Sequence, residues 1–205
     1  MDEILAARED RARRQGEMLS HGLPLLSFTL NTPGDIKDSP AIRRFFAVWL
    51  DRIREALGGK IVKEEARYPK TGPEYLAALR GDAGEIKRIC VAIEESRPAG
   101  RLLDLDVIGT EGTSLSRTGL GFPERKCLIC GKPGRACGAG QRHSYKALTE
   151  KAGALIRGYL VERDAERLGE KATNALIREV HVTPKPGLVD ENNNGSHRDM
   201  DLPLM

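Results

Sequence analysis

The first 110 residues alternate short apolar runs with segments of helical period. LPLLSFTLN (23–31) and RLLDLDVIG (101–109) are predicted as strands, because each is a brief apolar run flanked by turn-forming or polar residues. IVKEEARY (61–68) is predicted as a weaker strand. Apolar residues recur every three or four positions in five predicted helices, at 2–19, 40–57, 74–80, 82–97 and 145–181. This order predicts an α+β fold in which helices pack on a small mixed sheet.

The character of the chain changes after His143. Residues 110–143 are rich in glycine and charge and show no sustained period, which predicts loops. Residues 145–181 carry helical signals only, and the polar tail that follows cannot bury a core of its own. A domain boundary is therefore predicted near residue 145, between a domain of residues 1–145 and a helical segment of residues 146–205.

Composition excludes several classes of protein. The formal charge of +3 is small and the aromatic content is 4%, which argues against a nucleic-acid binder. No apolar run approaches the roughly 20 residues that cross a bilayer, so no membrane association is expected. The acidic N-terminus has no signal-peptide pattern. Four cysteines, three of them close to a histidine, favour a metal site over disulfides, and the protein is expected in the cytoplasm.

Asp104 and Asp106 are candidates for a catalytic metal site. Residues two apart in a strand face the same side, roughly 6.5–7 Å apart along the chain. Two carboxylates at that spacing can hold Mg²⁺ against a phosphate. A third carboxylate usually completes such a site, and Glu94, Glu95 and Glu111 are the candidates. The alternative is a strand whose outer face is simply solvated.

Four basic residues are candidates for binding the phosphates of the same substrate: Lys37, Arg101, Arg117 and Arg125. Lys37 precedes the helix predicted at 40–57, where exposed N–H groups and the helix dipole favour an anion. For Lys37 the alternative is a solvated lysine at an ordinary capped helix start.

Cys127, Cys130, Cys137 and His143 supply three thiolates and one imidazole, a complete tetrahedral set for structural Zn²⁺. Such a closed site would hold residues 125–145 onto the domain and leave no position for substrate. Free thiols in a packed loop and redox chemistry remain alternatives. Cys90 lies on an apolar helix face and is expected in the core.

Four segments together resemble the citrate lyase holo-acyl-carrier-protein synthases, also called apo-citrate lyase phosphoribosyl-dephospho-CoA transferases. These are PLLSFTLNTPGDIKDSP (24–40), GRLLDLDV (100–107), SLSR (114–117) and the RKCLIC motif with its later cysteine and histidine (125–143). The resemblance covers roughly residues 1–145. It implies a nucleotidyltransferase-like fold and a Mg²⁺-dependent reaction in which Asp104 and Asp106 hold the metal.

The implied reaction uses triphosphoribosyl-dephospho-CoA as donor. A serine hydroxyl of the apo acyl-carrier (gamma) subunit of citrate lyase attacks the α-phosphorus, and pyrophosphate leaves. Two alternatives stay open: the equivalent transfer to the malonate decarboxylase carrier protein, and a zinc-stapled protein-binding module without catalysis.

LIREVHVTPKPGLVDENNNGSHRDMD (176–201) resembles a second family, the triphosphoribosyl-dephospho-CoA synthases. Five residues match its motif: Glu179, Lys185, Asp190, His197 and Asp199. The resemblance implies the start of a fused synthase domain that is truncated here, and no synthase activity is expected from about 60 residues of it.

Overall fold

The computed structural model describes residues 2–180, and the side chains of residues 3–171. Within these described residues five α-helices and four strands follow one another: α1 (Asp2–Leu19), β1 (Leu25–Leu30), α2 (Pro40–Leu57), β2 (Ile61–Arg67), β3 (Glu74–Leu79), α3 (Ala83–Glu95), β4 (Leu103–Ile108), α4 (Gly134–Ala139) and α5 (Tyr145–Val180). Lys185, Asp190, His197 and Asp199, and the side chain of Glu179, lie outside the described residues.

The helix starts follow the sequence closely. Ser39 Oγ accepts a hydrogen bond from the Ile42 amide, with Pro40 at the first position of α2. Asp82 caps α3 in the same way, because its carboxylate accepts from the Glu85 amide at 2.9 Å. The α+β class and most of the predicted element positions are confirmed.

The strands form one sheet in the order β2-β3-β1-β4, and every neighbouring pair is antiparallel. The predicted mixed sheet is therefore wrong. A six-residue connection joins β2 to β3, which makes them a hairpin, and hairpin strands run antiparallel. The hairpin was missed because β3 itself was not recognised.

Residues 74–80 form β3 and not the short helix that was predicted. Glu, Leu and Ala favour a helix in isolation, but β3 lies between β1 and β2 and pairs with both. All six residues of β3 are buried. Burial on both faces of a central strand outweighs the weak helical preference of these residues.

The two faces of the sheet are covered differently. On one face the side chains of β1, β3 and β4 pack against α2, α3 and the early part of α5 to form the main core. Phe28 of β1 stacks on Phe46 of α2 at 4.4 Å, and Trp49 stacks on Tyr159 of α5 at 4.7 Å between ring centroids. Leu103, Leu105 and Val107 of β4 belong to the same core, so β1 and β4 are both packed against the helices on this face.

Helix α1 covers part of the other face and docks largely through polar contacts. Arg14 is buried and donates hydrogen bonds to Glu74 of β3 and Glu65 of β2. Gln15 donates to Ser27 of β1 at 3.0 Å. A charge buried in this way is stable because it is paired on several sides.

The chain divides into two compact units. The first ends at Asp164, and in the second, which begins at Ala165, the described residues continue as helix to Val180. Within the part of the chain that the structure describes, no helix combines the length and apolarity that a bilayer crossing requires.

Candidate functional site

Asp104 and Asp106 lie on the same face of β4, as the spacing predicts. Their cross-strand partners on β1 are Thr29 and Ser27. The alternating residues Leu103, Leu105 and Val107 are buried in the core on the opposite face. Both aspartates line one cavity of about 600 Å³, and both keep access to solvent.

The peptide between the two aspartates is held on the open edge of the sheet by helix α3. Lys87 Nζ donates to the Leu105 carbonyl oxygen at 2.6 Å, and Glu94 Oε1 accepts from the Leu105 N–H at 3.2 Å. Both side chains are buried. An unpaired edge strand would leave these backbone groups without partners, so α3 both satisfies them and fixes the strand that carries the carboxylates.

Three of the four predicted phosphate ligands line the same cavity as the aspartates: Arg101, Arg117 and Arg125. Arg125 donates to the Leu103 carbonyl and lies 3.4 Å from the Asp104 carboxylate and 3.5 Å from Glu94. Arg117 pairs with Glu95 and lies 3.7 Å from Glu94. The cavity thus combines carboxylates with an array of guanidinium groups.

Lys37 lies in a neighbouring cavity of about 410 Å³. Its ammonium group donates to the Thr32 carbonyl at 2.6 Å. Asp104 and Asn31 line both cavities, so Lys37 stands beside the aspartate pair but not among the three arginines. Arg8 and Arg11 of α1 also line this Lys37 cavity, and neither was predicted as a phosphate ligand from the sequence.

The charges in the cavity shift one another's ionisation. Although Asp106 keeps exposed surface, the surrounding protein removes enough water to raise its pKa, and the nearby Asp104 carboxylate raises it further. Burial likewise raises the pKa of Glu94, against the opposing effect of Arg125. Burial lowers the pKa of Arg101, and the neighbouring Arg125 adds to that effect. Two crowded carboxylates favour a cation, and crowded guanidinium groups favour an anion.

The three candidates for a third carboxylate lie in different surroundings. Glu94 lines the cavity, but its carboxylate already accepts from the Leu105 amide and faces two arginines. Glu95 is paired with Arg117. Glu111 lies beside Thr110 and lines a different cavity from the aspartates. Of the three candidates, Glu94 is therefore the one that shares a cavity with Asp104 and Asp106.

The structure brings the four predicted zinc ligands together. The sulfur atoms of Cys127, Cys130 and Cys137 and one ring nitrogen of His143 all lie within 4.8 Å of one another. Cys130 Sγ is 3.5 Å from Cys137 Sγ and 3.3 Å from His143 Nε2. Among the described side chains, this is the group of three or more possible ligands that is gathered closely enough for one ion.

Local backbone geometry explains how the four ligands converge. Gly131 follows Cys130 with φ of 72°, a left-handed conformation that lets the chain turn back after the Cys-x2-Cys pair. The Cys127 amide then donates to the Lys132 carbonyl at 2.6 Å, and α4 presents Cys137. Burial opposes ionisation of Cys127, but hydrogen bonds from the Cys130 and Ile129 amides and from the thiols of Cys137 and Cys130 together lower its pKa to about 6. The pKa of Cys137 is raised to about 11, chiefly by its hydrogen bond with Cys130.

Sequence reasoning missed several residues of the site. Asn31, at the end of β1, lines three cavities: those of the aspartates, of Lys37 and of the cysteines. Lys87 was hidden because it lies on a helix face that the sequence marks by its isoleucines. Ser114, Ser116 and Thr118 bring hydroxyl groups to the aspartate cavity, and their only sequence signal is the SLSRT segment around Arg117.

Comparison with known families gives this geometry its context. The sequence profile of apo-citrate lyase phosphoribosyl-dephospho-CoA transferase matches residues 1–159, more than three quarters of the chain. The chain belongs to this family. The profile of ATP:dephospho-CoA triphosphoribosyl transferase matches residues 165–205.

Relatives of the transferase family cover the chain to different extents. "Protein CitXG" of Haemophilus influenzae is 36% identical over 98% of this chain, which spans 44% of that relative's length. "Probable apo-citrate lyase phosphoribosyl-dephospho-CoA transferase" of Vibrio cholerae is 37% identical over 78% of the chain and 92% of its own length. The Escherichia coli transferase is 35% identical over 75% of the chain and 86% of its own length.

In this member of the transferase family the two predicted metal sites fit their ions to different degrees. Three sulfur atoms and one imidazole nitrogen, already converged, are a donor set compatible with zinc. Two same-face carboxylates offer the oxygen donors that Mg²⁺ prefers, and Arg125 lies 3.4 Å from one of them, that of Asp104.

Proposed function

We propose that this chain transfers the 2'-(5''-phosphoribosyl)-3'-dephospho-CoA group from its triphosphate precursor to a serine of the apo acyl-carrier subunit of citrate lyase. The observation that supports this most directly is the same-face pair Asp104 and Asp106 beside three arginines, in a chain of the transferase family. Relatives named for apo-citrate lyase favour this acceptor over the malonate decarboxylase carrier and over a module without catalysis.

The reaction forms one phosphorus–oxygen bond and breaks another. The serine oxygen of the carrier bonds to the α-phosphorus of the donor, the bond from that phosphorus to the β-phosphate oxygen breaks, and pyrophosphate leaves with the electron pair. The serine proton passes to a carboxylate of the Asp104–Asp106 pair. This carboxylate lies on β4, which Lys87 and Glu94 of α3 hold in place. The oxygen that accepts the proton therefore stays in position while the bonds change.

Asp104 and Asp106 would hold Mg²⁺, which neutralises charge on the triphosphate and on the leaving group. Arg101, Arg117 and Arg125 would bind the phosphates that become pyrophosphate, because they line the cavity around the pair. Lys37 would contact the far end of the phosphate chain from the adjoining cavity.

The Cys/His set would hold structural Zn²⁺ and thereby fix Arg125. The amide of Gly134, the first residue of α4, donates to the Arg125 carbonyl at 2.8 Å, and Arg101 donates to the Lys126 carbonyl. A side chain at Gly134 would approach the Arg125 carbonyl to 2.9 Å, so only glycine permits this contact without rearrangement. Reduced thiols of this kind suit the cytoplasm, which we propose as the location.

Mass spectrometry of the apo carrier tests the proposal. Incubation with the chain, the triphosphate donor and Mg²⁺ is expected to add the mass of the prosthetic group to one carrier serine and to release an equal amount of pyrophosphate. A carrier of unchanged mass, with the chain folded and the donor intact, would contradict it. The unit that begins at Ala165 is proposed to take no part in this reaction.

A further inference from the structure

The cavity of the cysteines, of about 600 Å³, lies beside the aspartate cavity. Asn31, Arg101 and Gly134 line both, so the two spaces adjoin along a shared wall. In the proposed donor the reacting phosphates are attached, through a ribose, to dephospho-CoA. The aspartate cavity holds the phosphates, so the adenosine that follows needs a space of its own. The volume of the cavity of the cysteines falls within the range of roughly 300–1,000 Å³ that small-molecule sites occupy.

Cys127, Cys137 and His143, three of the proposed zinc ligands, form one wall of this cavity. The rest of its lining has the chemistry of a purine site. Leu102, Leu128 and Leu148 give it apolar walls, as the flat faces of a base require. Tyr145, at the start of α5, adds an aromatic ring, and its hydroxyl donates to Asp35 at 2.8 Å, which restrains the side chain. A purine base stacks favourably on such a ring.

Gln141 lines the same cavity in a strained conformation. Its φ is 44°, and it is the non-glycine residue with positive φ in the described chain. Glycine adopts this conformation without cost, whereas a side chain does not. A glutamine amide can both donate to and accept from the edge of an adenine, so the side chain offers a use for which the strain is tolerated.

We propose that this cavity binds the adenosine portion of the donor, with Gln141 and Asn31 facing the base edge, Tyr145 facing its ring, and Arg101 contacting the phosphate where the two cavities meet. This inference rests on the proposed function, because it takes the donor to be a nucleotide whose reacting phosphates lie at Asp104 and Asp106.

Two probes separate the cavities: dephospho-CoA, which contains the adenosine, and inorganic pyrophosphate, which does not. Their dissociation constants are measured by titration calorimetry on the 205-residue chain and its variants. Gly138→Trp adds bulk at a position that lines the cavity, where a new side chain meets no atom within 4 Å. Gly158→Trp is the matched control, because Gly158 lies on α5, is equally open, and does not line any of the cavities described here.

Gly138→Trp is expected to weaken dephospho-CoA binding at least about tenfold and to leave pyrophosphate binding unchanged, while Gly158→Trp changes neither. Gln141→Gly is expected to weaken dephospho-CoA about tenfold with an unchanged or higher unfolding temperature, because strain and hydrogen bonds are removed together. A merely structural Gln141 would give the stability change alone.

Unchanged dephospho-CoA binding in both cavity variants would overturn the proposal, and so would equal weakening of both probes in both variants. If the wild-type chain binds dephospho-CoA with the expected variant pattern but never labels the carrier, the transfer reaction fails and the adenosine site stands.

Discussion

Lys87 Nζ donates to the Leu105 carbonyl oxygen at 2.6 Å, and Leu105 is the residue between the two aspartates of the site. A buried side chain of α3 therefore determines how the edge strand presents its carboxylates. We predict that Lys87→Met leaves this carbonyl without a donor and lowers the free energy of unfolding by about 1–3 kcal/mol. Displacement of the carboxylates should also reduce kcat roughly 100-fold.

A purely structural role for Lys87 would leave the Mg²⁺ dependence of the remaining activity unchanged. We expect instead that the Mg²⁺ concentration for half-maximal rate rises in Lys87→Met. Arg88→Met is the control, since Arg88 is the next residue of the same helix and is exposed. Equal metal dependence in both variants would refute the positioning role.

The cysteine–histidine set is predicted to carry a single zinc ion that stabilises the fold and holds Arg125. Cys130→Ser should abolish the zinc measured by elemental analysis, lower the unfolding temperature and reduce transfer. Cys90→Ser provides the comparison, because Cys90 is buried in the core and its substitution should cost stability while zinc content stays intact. Full zinc content in Cys130→Ser would contradict the assignment.

The end of the transferase unit is testable by truncation. Ala152, Ile156, Tyr159 and Leu160 of α5 are buried in the main core. A chain ending at Asp164 is therefore predicted to fold and transfer the group, whereas a chain ending at residue 149 should fail to fold. Circular dichroism and carrier labelling check both, and a folded, active 149-residue chain would show that α5 is dispensable.

The hydrogen bond from Tyr75 to Glu64, at 2.6 Å, predicts a pH dependence of stability. The Tyr75 hydroxyl, with a further contribution from Arg54, lowers the pKa of Glu64 below its ordinary 4.5. The stabilisation is therefore present above pH 4.5 and is lost as the pH falls through the lowered pKa. Glu64→Gln should destabilise the chain at neutral pH and approach wild-type stability in acid.

Denaturant unfolding at neutral and acidic pH measures this difference, with the exposed Glu55→Gln on α2 as control. A destabilisation by Glu64→Gln that is the same at both pH values would mean that the carboxylate charge is not responsible.

Local patterns predicted most of the elements correctly because their signals are local. The cap at Asp82, the apolar stripe of α2 and the alternation of β4 each depend on residues close in sequence. The strand at Glu74–Leu79 was mistaken because its preference is set by β1 and β2, which are distant in the chain.

The candidate site divides in the same way. The Asp104–Asp106 geometry and the Cys/His convergence follow from spacing within one segment. Other features depend on how distant segments pack, which hydrophobic periodicity does not predict. These are the hydrogen bonds of Lys87 and Glu94 to β4, the position of Asn31, and the separation of Lys37 from the arginines.

The most direct test of the metal-binding aspartate pair is carrier labelling by Asp104→Asn and Asp106→Asn, with the exposed Asp51→Asn of α2 as control. Both variants preserve side-chain volume, so the fold measured by circular dichroism should be retained. Each variant is expected to lose at least about 100-fold in transfer rate, while Asp51→Asn keeps the wild-type rate. Near wild-type transfer by either folded variant would contradict the metal-binding role of the pair.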